Sequence, residues 1–457
     1  MAKQFVRAIS THNFFMAWAP ILYSAVLAAT VSYLLLVRRR FDLTSYLFAF
    51  FFLYHGPAFF QYQASRGYPQ EYETIAAALA LGGVAIIAGQ AAMSAMLPRL
   101  PARGNWFREP LYDAPCDKLV LSSAVAVIGL VALMNLLFFG AGARITHGLS
   151  LTYTDIVAGE YSRLRRESIT TESAGAWALC FTYLCRCGPG PFFSLFLIAR
   201  ARYDPSPVRI AAAAALSSLI FLSRASSLAK SDAVYFIGQV ALLWSLTSRR
   251  SNRFDWRLFA TGGVILAGLL FTYIRFTASE SIWQALELIS LRITEVPNLC
   301  LSAHFEVYPN VIAHTYGMNI RLLHALFAWG EDYVPAHALL DTSGGNMNTI
   351  FIADAWVDFG WTGVAVAGAI AGAAIGWADR IVRERRDTMT VSLFVSLLFP
   401  VYALISTSLV TCLFGFGLLT LPLMCRMVLR KSDPAARSTD IAAIRRNKFS
   451  KVRCAAA

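Results

Sequence analysis

Arginine recurs in this chain at positions where charge is costly, and phosphate is the group its side chain binds best. Arg186 falls near the middle of an apolar run, flanked by Cys185 and Cys187. A charge at such depth faces the protein interior and marks a functional candidate; a structural partner for a buried carboxylate or carbonyl is the other reading. Arg224 and Arg275 stand at the ends of two further apolar runs, where an ordinary snorkelling turn also accounts for them. Between the runs lie Arg144, Arg163, Arg165, Arg166, Arg292 and Arg321, on a side where Lys230 is nearly the only lysine. The planar guanidinium grips phosphate oxygens two at a time and stays charged when partly desolvated. An anionic, lipid-linked ligand would explain the pattern.

Groups able to move a proton are also present. Glu287, Glu295, His304, Glu306, His314, His324 and His337 lie in one long polar segment. Asp354 and Asp358 follow, four apart and so on one helical face, where they would also complement a helix N-terminus. Arg292 and Glu295 are spaced for an ion pair. The histidines form no HExxH or similar ligand pattern, and GxSxG, Walker and GxGxxG loops are missing. ATP, nucleotide sugar, metal and any other cofactor are therefore unsupported. Eight cysteines are scattered, without a CxxC pair, as small hydrophobes.

The elements that must position these groups are membrane helices. Hydrophobic residues make up 57% of the 457-residue chain, charged residues 15%, and mean hydropathy is +0.54. Apolar runs of helix-spanning length lie at 15–37, 43–63, 73–96, 118–140, 174–199, 208–223, 232–248, 258–276, 355–378, 390–409 and 411–429. The expectation is an all-α, polytopic transmembrane bundle of about eleven spans, forming one integral membrane domain. The first run is too long for a signal-peptide core and is kept as a helix. Strict alternation gathers Arg38–Arg40, Arg99, Arg103, Arg108, Arg200, Arg202, Arg249, Arg250, Arg380 and Arg383 on one side, the cytoplasmic one. The net charge of +13 reflects these loops and the basic tail 432–457, not nucleic-acid binding. An odd span count puts Lys3 and Arg7 outside, so residues 1–13 lie along the interface or a re-entrant segment completes the count. Two outer loops remain, 141–173 and the longer 277–354, the second with helical periodicity from Ile282 to Val296 and from Met318 to Trp329.

The stretch Ser343-Gly-Gly-Asn-Met-Asn-Thr-Ile-Phe-Ile-Ala-Asp-Ala-Trp-Val-Asp-Phe-Gly-Trp-Thr-Gly363 runs straight into an apolar span. It resembles the signature of the Wzy-type oligosaccharide repeat-unit polymerases, in which an Asn-rich turn precedes an acidic–x–aromatic–x–polar–Phe–Gly–x–x–Gly helix. Asp354 fills the acidic slot, Trp356 the aromatic one and Asp358 the polar one, with Phe359, Gly360 and Gly363 behind them. Upstream, Tyr308-Pro309 and Tyr316-Gly317 resemble the family's Tyr-Pro…Gly element, with Arg292 before it. The His-Asn turn of the related O-antigen ligases is not found.

The resemblance implies an enzyme of the bacterial inner membrane that joins undecaprenyl-pyrophosphate-linked oligosaccharides on the periplasmic face. It implies Arg292, Arg224, Arg275 and Arg186 at the pyrophosphate, and Asp354, Glu295 or His304 as base. Asn346 and Asn348 would bond sugar hydroxyls, Trp283, Trp329 and Tyr316 would stack on sugar rings or, as outer aromatics more commonly do, anchor at the membrane interface, and a chain-length regulator is an expected partner. A ligase and a polysaccharide flippase remain as alternatives.

Overall fold

The computed structural model describes residues 42–97, 109–151, 180–247, 281–318 and 350–429, short gaps aside, with a few isolated positions besides. Among the described residues the chain is helical throughout and has no β-strand; one bridge pairs Tyr112 with Asp387. The helices are α1 Leu43–His55, α2 Pro57–Ser65, α3 Tyr72–Met96, α4 Lys118–Phe138 and α5 Ala141–Ser150. A π-helical turn, Thr182–Cys187, leads into α6 Pro189–Tyr203, α7 Pro207–Ala225 and α8 Lys230–Leu246. Then come α9 Ile282–Thr294, α10 Val296–Val307, α11 Phe351–Arg383, α12 Thr388–Ala403 and, after a second π turn at Thr411–Gly415, α13 Thr420–Met424.

Five helices are long and apolar enough to cross a membrane: Leu43–Ser65, Tyr72–Met96, Lys118–Phe138, Pro207–Ala225 and Phe351–Arg383. Shorter apolar helices cover Ala233–Leu246, Thr388–Ala403 and Thr411–Met427. The expected run at 15–37 lies outside the described residues, and that at 258–276 mostly does. The run at 174–199 differs from a plain span. Pro189 and Pro191 restart it as α6 behind the π turn, because proline offers no N–H to the carbonyls before it.

Local signals set the helix starts. Asp42 caps α1 through Ser45 N, and Ser206 caps α7 through Arg209 N ahead of Pro207. Asp387 and Thr390 form a reciprocal capping box on α12. These caps belong to one end of the bundle, where several of the arginines also collect. Arg383 bonds Asp379 at 2.7 Å and approaches Asp42 at 3.4 Å. Arg200 holds Asp113 with both Nε (3.2 Å) and Nη2 (3.1 Å), and Thr388 Oγ1 donates to the same carboxylate. Arg386 donates to Glu109 O and to Leu246 O, and Trp106 Nε1 to Arg385 O. The loop after α3 is thereby strapped across the ends of α6, α8 and α11.

The tightest helix pair is α3 with α11. A Cβ on Gly372 would sit 1.9 Å from Ile86 O, and one on Gly89 2.0 Å from Ala369 O. Gly368 meets Gly82 O at 2.9 Å by the same measure. In lipid there is no hydrophobic drive between helices, so close backbone approach through small residues supplies the attraction. Gly82 differs, since its added Cβ would meet side-chain atoms of Ile352 and, at 3.7 Å, of Val364 before any backbone of α11. We expect Gly372→Ala to destabilise the protein by about 1–3 kcal/mol and Gly82→Ala to melt close to wild type, as read by thermal unfolding in detergent. Equal effects at the two positions would refute the backbone-contact account.

Candidate functional site

Helix α11 is broken near its start. Phe359 (φ −138°, ψ 16°) and Gly360 (φ 57°, ψ −138°) leave helical geometry, so nearby peptide groups lose their partners along the helix. Residues 314–317, from the segment after α10, replace those partners. Thr315 N donates to Val357 O at 3.0 Å and Tyr316 N to Asp358 O at 2.9 Å. Thr315 Oγ1 (2.5 Å) and Gly317 N (3.1 Å) both donate to Asp358 Oδ1. Gly360 is required twice over. Its φ is positive, and a Cβ there would come within 3.1 Å of His314 Nε2. At Gly363 a Cβ would reach 2.1 Å from Ala355 O, so the two halves of the helix fold tightly on one another.

Trp356 completes the join. Its Nε1 donates to Tyr308 O at 2.8 Å, its ring stacks on Phe305 at 4.6 Å, and His314 and Trp361 meet it edge-on. Burial, with the Asp358 charge adding to it, pushes the Tyr308 phenol above its ordinary range, so it stays a neutral hydroxyl. The two segments expected from the sequence to belong together, 308–317 and 354–363, are thus one hydrogen-bonded unit.

The proton-transfer candidates separate by environment. Asp358 is buried and its Oδ1 organises the 315–317 turn. Asp354, one turn earlier, is half-buried in the first turn of α11, within electrostatic range of Cys412. Glu295 is exposed at the junction of α9 and α10, and Arg292 is exposed one turn before it. No ion pair joins these two among the described residues: α9 ends at Thr294, and Glu295 turns the chain into α10. His304 is fully buried in α10, with Nδ1 2.6 Å from Cys300 O. His314 occupies the histidine position at the break instead, half-buried, with Nδ1 3.3 Å from Val357 O.

Arg186 and Arg224 are brought together. Arg224 is 1% exposed, and its Nε donates to the carbonyl of Arg186 at 2.8 Å. The π turn explains why that carbonyl can accept. In a π pattern it would look to the N–H five residues on, and that residue is Pro191. The Arg224 guanidinium also lies over Phe399 (4.9 Å) and Phe236 (5.7 Å). Cation–π faces and a carbonyl offset part of the several-kcal/mol cost of burying the charge. Beside it the hydroxyls of Tyr46 and Tyr235 meet at 2.6 Å, those of Tyr54 and Tyr402 at 3.1 Å, and Tyr235 stacks on Tyr402.

One segment faces both groups. Cys412 lies within electrostatic range of Asp354, and Phe416 packs 5.0 Å from Phe399, a ring that Arg224 and Tyr235 also meet. Arg292 belongs elsewhere, on a helix that packs against α10, α1 and α2. Arg275, Asn346 and Asn348 lie outside the described residues. The tyrosine cluster had a faint sequence signal in Tyr46, Phe50 and Tyr54, spaced four apart on one face of α1. Among the described residues no group of three or more His, Cys, Asp or Glu could hold a metal ion. No family model matches the chain, and no curated protein or solved structure is significantly similar to it.

Thr315 Oγ1 and Gly317 N both donate to Asp358 Oδ1, so an amide oxygen placed there can still accept from both. Asp358→Asn, which keeps both, is expected to lose less stability than Asp358→Ala. Asp358→Ala should lose about 2–3 kcal/mol through two stranded donors. Thermal unfolding of both variants checks this, and equal losses would reject it.

Proposed function

We propose that this chain is a metal-independent glycosyltransferase that polymerises lipid-linked oligosaccharide repeat units at the periplasmic face of a bacterial inner membrane. The observation that supports this reading is the union of segments 308–317 and 354–363 at a broken membrane helix. These are the two stretches whose residues resemble the repeat-unit polymerases.

In this reading the donor is a glycan on undecaprenyl pyrophosphate and the acceptor a hydroxyl of an incoming lipid-linked unit. The acceptor oxygen bonds to the anomeric carbon of the donor as the bond from that carbon to the phosphate oxygen breaks. The electron pair leaves with the lipid pyrophosphate, and the acceptor proton passes to a carboxylate. Asp354 is the first choice for that base, being half-buried, in the first turn of α11 and beside the break; exposed Glu295 is second. Arg224 and Arg186 act on the departing pyrophosphate by charge stabilisation, with Arg292 and Arg275 as further contacts. Asn346 and Asn348 bond sugar hydroxyls. The leaving group carries its own activation, so neither nucleotide nor metal takes part.

The test is the surface-polysaccharide ladder of the native host. Deletion should leave glycan capped with single repeat units, and the wild-type gene should restore the ladder. Asp354→Asn, present at normal level, should slow polymerisation by about 10²–10³-fold. With purified protein and lipid-linked units, EDTA should leave the rate unchanged. Complete loss of surface glycan on deletion would favour ligation or export, and an unchanged ladder would end the polymerase reading.

A further inference from the structure

Tyr316 combines three properties that a structural residue would not. Its backbone is left-handed, with φ at 51°, the one positive-φ non-glycine among the described residues. That conformation crowds any side chain with a Cβ, and a bulky aromatic gains nothing from it locally. Its ring recovers nothing by burial, since the residue is 69% exposed. The conformation is nonetheless imposed. Tyr316 N is held by Asp358 O, Thr315 by both Val357 O and the Asp358 carboxylate, and Gly317 N by that same carboxylate.

Glycine or asparagine would make the same turn at lower cost, because the turn uses only the backbone of residue 316. Strain kept at an exposed aromatic in a rigid frame therefore points outward, to something the ring touches. The surroundings indicate what. Trp361 and Phe359, 46% and 43% exposed, flank the break that this turn covers. His314, half-buried against Gly360, supplies a hydrogen-bonding group beside them, and Asp354 lies further back in the first turn of α11. Apolar ring faces set among hydrogen-bonding groups suit a sugar ring, which has a C–H face and a hydroxyl edge. A lipid tail would find the polar groups unfavourable.

We propose that Tyr316 is a carbohydrate-stacking residue, holding a sugar ring of the glycan over the break in α11. The assignment deepens the polymerase reading and rests on it for the nature of the glycan. The ring, not its hydroxyl, carries the contact.

The experiment compares wild type with Tyr316→Phe, Tyr316→Asn and Tyr316→Leu, each purified in detergent. The probe is the host's repeat-unit oligosaccharide, released from its lipid by mild acid, with binding followed by tryptophan fluorescence. Tyr316→Asn should melt within about 2 °C of wild type while its affinity falls about tenfold. Tyr316→Phe should bind within about twofold of wild type, and Tyr316→Leu should fail like Tyr316→Asn. A drop of many degrees in Tyr316→Asn would make the role structural and overturn the proposal. So would Tyr316→Leu binding as well as wild type, which marks plain apolar contact with the membrane surface. If wild type binds no oligosaccharide although the host's ladder depends on the gene, the stacking role falls and polymerisation stands. If the ladder is also independent of the gene, both fall.

Discussion

The close crossing of α3 and α11 is the constraint on which the loop-end architecture rests. Ile86 O and Ala369 O lie where a methyl group on the facing glycine would be, so the two helices can neither slide nor rotate without a clash. At the far end Arg383 ties α11 to Asp42 at the start of α1. The long lower part of α11 is therefore a fixed post. The short upper part, from Phe351 to Asp358, can then be set at an angle to it by the break at Phe359–Gly360. Phe351 N donating to Leu404 O ties that upper part to the end of α12.

Breaking a helix near a bilayer is tolerated only where protein re-satisfies the freed peptide groups. Residues 314–317 do this, and the direction of dependence matters. The turn exists in its left-handed form because Val357 O and Asp358 accept from it, and the break is tolerated because the turn supplies those donors. Neither half of the unit is stable without the other. Chemistry-bearing groups on both sides, Asp354 and His314, thereby acquire a common frame.

Sequence pattern made much of this legible, though unevenly. Apolar runs located α3, α4 and α7 to within a few residues, since span length and composition dominate there. Asp42, Ser206 and Asp387 fix helix starts by cap chemistry, which the apolar runs do not register. Gly360 and Gly363 stood in the resembling stretch, but the break at Phe359–Gly360 did not show. A glycine pair in an apolar run is compatible with straight packing or with a kink, and only the partner segment decides. The π turn at Thr182–Cys187 was hidden for a similar reason, although Pro189 and Pro191 are the residues that free its carbonyls. His304 looked equivalent to His314 because both are lone histidines in a polar segment. Their difference, full burial in α10 against a place at the break, comes from tertiary packing alone.

The same distinction bears on how a cation and an acid could cooperate across this fold. Arg224 sits in an aromatic wall to which Phe399 of α12 contributes, and Asp354 sits on α11. They share no element, and a route through sequence neighbours would be long. The segment from Thr411 to Phe416 shortens it, with Cys412 within electrostatic range of Asp354 and Phe416 against Phe399. That segment is itself a π turn followed by Gly417 at φ 92°, so it crosses between helices as a compact, wide coil. The acid and the cation are thereby linked through one segment, by Phe416 packing on the Phe399 ring and by electrostatics at Cys412, and not along the chain.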